Sequence, residues 1–134
     1  MVPKLILATL GLAGITLGST LKVWTATLEA KGGSGISGTA RAESVPHDST
    51  SATVNVKGAA PNSSLTWGLH SGKCAALGAM LGAGYAALQT DSTGAGSAST
   101  TVALEMHGDK DYSAVIHGSA AGSVAACGTF KPGT

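Results

Sequence analysis

Apolar and polar residues alternate with a period of two over much of the chain, the pattern of strands with one buried and one wetted face. Lys22 to Ala30 sets Trp24, Ala26, Leu28 and Ala30 against Val23, Thr25, Thr27 and Glu29, with Trp24 and Leu28 facing inward. Lys31-Gly32-Gly33-Ser34-Gly35 is a turn, and Ile36 to Glu43 is predicted to pair back as a hairpin. The polar connection Val45-Pro46-His47-Asp48-Ser49 leads to Ser51 to Lys57, where Ala52, Val54 and Val56 alternate with Ser51, Thr53 and Asn55. Gly58-Ala59-Ala60-Pro61-Asn62 then turns the chain into a strand with Leu65, Trp67 and Leu69 on one face and Thr66, Gly68 and His70 on the other.

Beyond Cys74 the pattern lapses. Ala75 to Gly84 is small and apolar, a short helix or an irregular loop, and Gly78, Gly82 and Gly84 favour the loop. Strands are predicted over Tyr85 to Thr90 and Ser97 to Leu104, joined by the turn Asp91 to Gly96, with the Ser/Thr/Gly/Ala bias of Ser92 to Thr101 suited to a solvated edge strand. A polar turn over Glu105 to Lys110 precedes Asp111 to His117, which puts Tyr112, Ala114 and Ile116 on one face and Ser113, Val115 and His117 on the other. Gly118 to Gly122 is a small-residue loop into a last strand, Ser123 to Phe130. About eight short strands with regular turns, no convincing helix and no internal repeat predict an all-β fold, a Greek-key β-sandwich or barrel of antiparallel strands.

Composition agrees. Charged residues make up 11%, aromatics 4%, and Gly numbers 20 in 134 residues, a balance poor in helix formers and sufficient for one domain with a modest core. A formal charge of +1 without a Lys/Arg cluster offers no footprint for nucleic acid or an anionic membrane surface. Met1-Val2-Pro3-Lys4 followed by the apolar run Leu5 to Leu17 predicts a secretory signal over residues 1–20 and a domain over 21–134. Neither Gly18-Ser19-Thr20 nor the segment near Ala26 offers a clean cleavage signature, so an uncleaved anchor stays open, the one route to a membrane. Either way the domain is expected outside the cytoplasm, secreted, periplasmic or extracellular. Two cysteines in an exported chain point to a disulfide, and Cys74 with Cys127 is the one intramolecular pairing available. Such a bond stabilises by about 4 kcal/mol through loop closure.

Several segments together resemble a known family. Ala26-Thr27-Leu28-Glu29 with Gly35-Ile36-Ser37-Gly38 looks like an opening hairpin, and Ala52-Thr53-Val54-Asn55-Val56-Lys57-Gly58 like a third strand. Trp67-Gly68-Leu69-His70 falls where that family has a His-x-His copper motif, Ala114-Val115-Ile116-His117 where a strand ends in another copper histidine, and Ala125-Ala126-Cys127-Gly128 where the second disulfide cysteine stands. From about Lys22 to Phe130 the chain is similar to the exported Cu/Zn superoxide dismutases and their degenerate relatives, with the small β-sandwich modules called CHRD domains a near alternative. The resemblance implies the dismutase-like Greek-key fold, with Cys74 in the place of the first disulfide cysteine. The departures are specific: Gly68 replaces the first histidine of the copper motif, no His or Asp lies between Cys74 and Leu88 to supply a bridging histidine or zinc ligands, and Val124 replaces the arginine that guides the anion.

The expected site is correspondingly reduced. No catalytic residue is assigned, the zinc site is absent, and copper is the one cofactor in view, through His70 and His117, with His47 a weaker third candidate. His107, Asp48 and Asp91 read as turn residues, and Trp67, Tyr85 and Tyr112 as core. Ser71 follows His70 directly and has no third group to make a nucleophile of it. The first expectation is an exported, non-catalytic dismutase-like domain with weak copper binding. The alternatives are residual copper-dependent superoxide dismutase activity and a structural or adhesive extracellular module, and no protein partner is specified.

Overall fold

The computed structural model describes residues 22–45, 48–119 and 122–132; the predicted export segment and His47 lie outside them. Strands β1 (Val23–Ala30), β2 (Ser37–Val45) and β3 (Ser49–Lys57) form successive antiparallel hairpins. There follow β4 (Ser64–Leu65), β5 (Trp67–Ser71), a 3-10 turn at Cys74–Ala76, β6 (Met80–Leu81), β7 (Leu88–Thr90), β8 (Gly96–Val102), β9 (Tyr112–His117), β10 (Val124–Thr129) and β11 (Lys131–Pro132). All pair antiparallel in the order β4-β7-β8-β3-β2-β1-β10-β9-β5-β6, with β11 on β1. Strands β4, β6 and β11 have two residues each, and the remaining eight correspond to the strands expected from periodicity. No helix among the described residues is long and apolar enough to cross a membrane.

The sheet curls until its ends meet. Strand β4 stands at one end of the order and β5 beside the other end, yet only Thr66 separates them in sequence. Its carbonyl accepts the His117 N–H at 2.9 Å. The continuous strand expected through Leu65 to His70 is therefore broken at Thr66, because the chain passes there from the β7 side of the sheet to β9. The C-terminal run also helps closure: β10 pairs Ala30 and Glu29 through Ala126 and Cys127, and β11 pairs Thr25 and Trp24 through Lys131 and Pro132, in one register along β1.

Inward positions of both arms fill one core. Trp24, Ala26 and Leu28 of β1, Ala40 and Ala42 of β2, and Ala52, Val54 and Val56 of β3 meet Trp67, Leu69, Leu88, Tyr112, Ala114, Ile116 and Ala126. Trp67 packs edge-on to half-buried Tyr85 with centroids 5.0 Å apart. Two strands differ from expectation. Tyr85 to Thr90 pairs only over Leu88–Thr90, because Ala86 gives its N–H to Thr100 Oγ1 and its carbonyl to Trp67 Nε1 instead of to a ladder. The Ser/Thr-rich β8 is not an edge: it lies between β3 and β7, though β7 covers it only at Ser97 and Gly96.

The disulfide joins Cys74 to Cys127 across 53 residues. It ties the loop after β5 to β10, and the Cys74 N–H donates to Thr129 Oγ1 as a second tie. Under this loop the second face of β9 is buried as well: Ser113 and Val115 have no exposed surface, and Ser113 Oγ donates to the Gly72 carbonyl.

Candidate metal site

The covered face of β5 and β9 carries the histidines. Strand period two sends Leu69 into the core and His70 to this outer face, where both imidazoles are half-buried. Register pairs His70 with Ser113 and Gly68 with Val115, while the His117 N–H bonds to the Thr66 carbonyl. The two histidines thus leave their strands four residue levels apart, about 13 Å at the usual strand rise. Between them, on this face, stands Gly68. Having no side chain, it leaves the gap across which the rings lean toward each other, with centroids 5.3 Å apart and planes tilted by 51°.

The ring nitrogens that meet are His70 Nε2 and His117 Nε2, separated by 3.5 Å. His70 Nδ1 lies 3.0 Å from the Gly78 carbonyl. A carbonyl only accepts, so Nδ1 carries the hydrogen and, in the neutral ring, Nε2 carries a lone pair aimed at His117. Burial first, and the neighbouring charge of His70 second, hold the His117 ring below the ordinary histidine value, against an opposing pull from its hydrogen bond to the Ser123 main chain. The shift favours the neutral ring, the form in which an imidazole binds a metal.

This geometry suits a shared ion. Two nitrogens 3.5 Å apart reach one metal through bonds of 2.0–2.1 Å at an angle of about 113–122°. The hydrogen bond from the far side of His70 to a main-chain carbonyl is the kind of support that orients metal-bound imidazoles. Among the described residues no group of three or more His, Cys, Asp or Glu side chains is placed to hold a metal ion.

The other singled-out residues lie apart. His107 sits in the exposed turn before β9, its N–H on the Tyr112 hydroxyl at 2.8 Å, at the far end of the strand that His117 closes. Asp91 holds its own turn, accepting from Thr93 N, Thr93 Oγ1 and Ala95 N. Both cysteines are in the disulfide. A cavity of about 710 Å³ opens along β1 to β3 and the disulfide and contains no histidine, whereas one of about 360 Å³ adjoins His117. Met80 carries no warning in the sequence, a single Met in a Gly/Ala stretch, but the β5–β6 pairing sets it directly opposite His70. No protein-family model and no curated protein matches the chain.

Proposed function

We propose that this is an exported, non-catalytic β-sandwich domain of the Cu/Zn superoxide dismutase-like Greek-key kind, which binds a copper ion weakly through His70 and His117. The observation that carries the reading is the 3.5 Å approach of the two Nε2 atoms across Gly68. The disulfide adds support for export, since such bonds persist in oxidising compartments.

Copper supplies a one-electron couple when bound, but dismutation also calls for a positive charge that draws the anion in. Val124 occupies the position where the resemblance places that arginine. The domain is therefore read as a binder, since function resides in the site and not in the fold.

Equilibrium titration of the purified domain with copper tests this. Saturable binding of one ion is expected with a Kd below about 100 μM, weakened at least about tenfold by His70→Ala and by His117→Ala. Absence of saturable binding overturns the reading and leaves a structural or adhesive module. Superoxide turnover by the copper-loaded protein above that of free copper ions overturns its non-catalytic part.

A further inference from the structure

Strand β6 is only two residues long, yet it decides what lies over Gly68. Its pairing sets Met80 against His70 and Leu81 against Leu69. Cross-strand partners share a face, so Met80 rises on the side of the imidazoles while Leu81 turns to the core. The Met80 side chain then runs over β5: a Cβ added to Gly68 would meet Met80 Cε at 2.7 Å, Sδ at 3.1 Å and Cγ at 3.2 Å. Gly68 is also the residue midway between the two histidines on that face. The thioether therefore lies over the strand position midway between the two histidines whose Nε2 atoms face each other at 3.5 Å. Met80 is 41% exposed, the large apolar side chain left at the surface among the described residues.

Taking His70 and His117 as ligands, as proposed above, we propose that Met80 is the third ligand of the site and that the site selects Cu(I) over Cu(II) and Zn(II). The donor set is two imidazoles and a thioether, with both thiols consumed in the disulfide. Thioethers favour Cu(I), whereas Cu(II) prefers tetragonal nitrogen and oxygen sets and Zn(II) a closed tetrahedron of four. The N–metal–N angle of about 113–122° set by bonds of 2.0–2.1 Å includes the 120° of a trigonal three-coordinate ion. Gly68 acquires a role in this arrangement, since any side chain there displaces the sulfur.

Affinities of the purified, disulfide-bonded protein for Cu(I), under anaerobic competition with bicinchoninate, are compared with those for Cu(II) and Zn(II). Met80→Leu conserves volume at an exposed position and keeps the fold. It is expected to weaken Cu(I) at least about tenfold while leaving Cu(II) and Zn(II) within about twofold. Gly68→Ala is expected to do the same, because its Cβ pushes aside the flexible end of Met80 and spares both histidines. X-ray absorption of the Cu(I) form should show a sulfur neighbour that Met80→Leu removes. Cu(I) affinity unchanged in Met80→Leu, while His70→Ala and His117→Ala still lose it, overturns the Met80 assignment alone. Cu(II) binding that His70→Ala and His117→Ala abolish, without tighter binding of Cu(I), overturns the Met80 and Cu(I) assignment alone, whereas affinities unchanged in the histidine variants, or no saturable binding of either copper ion by the unsubstituted protein, overturn the underlying site as well.

Discussion

Leu69 and His70 are neighbours that the strand period sends to opposite sides of β5, one into the core and one to the outer face. Leu69 has no exposed surface and joins the core cluster of both arms. Leu69→Ala removes that contact and leaves a cavity, for which destabilisation of about 2–5 kcal/mol is expected in denaturant unfolding. A loss under about 1 kcal/mol would mean that the core collapses around the site. Alternation made His70 legible as an outward residue, and it did the same for His117. Their approach was not legible, because it depends on how far two side chains lean over Gly68 from levels about 13 Å apart.

At the scale of elements, the turns show how short-range chemistry is read. Asp91 accepts hydrogen bonds from Thr93 N at 2.8 Å, Thr93 Oγ1 at 2.6 Å and Ala95 N at 3.1 Å, and Gly94 takes the positive φ of 84° that closes the turn. The Thr93 hydroxyl first, then the main-chain N–H groups, hold the Asp91 carboxyl below its usual range. With the folded value below the unfolded one, this stabilisation is complete above the unfolded value of about 3.9 and is lost as pH falls through the folded value. Asp91→Ala is expected to lower the melting temperature at pH 7, with the difference from the unsubstituted protein narrowing as the pH drops below about 4. A difference independent of pH would assign the turn to backbone preference alone.

The strands divide in the same way. β1 and β3 were legible because buried and wetted positions alternate along most of their length. β4, β6 and β11 were not, since two residues carry no period and pairing alone defines them. Loss of the ladder at Ala86 and the interior place of β8 are tertiary effects as well: a Thr100 hydroxyl and the Trp67 indole claim the backbone of one, and β7 folds over part of the other.

For the whole molecule, closure of the sheet at Thr66 is what brings β5 beside β9 and thereby His70 near His117. The disulfide pins the loop that returns as β6, so it holds both the Gly78 carbonyl behind His70 and Met80 above Gly68. A loop-closing bond of that span contributes about 4 kcal/mol, a large part of what holds a small domain folded. Scaffold and site are in this sense one construction, and the central claim is that its two imidazoles share an ion. Imidazole nitrogen NMR of the labelled protein during titration with silver(I), a diamagnetic stand-in for Cu(I), tests it most directly. The Nε2 resonances of His70 and His117 are expected to shift together and to stop shifting at one silver ion per chain, with His107 unmoved. A shift at one ring only, or movement of all the histidines in proportion to added silver, would contradict it.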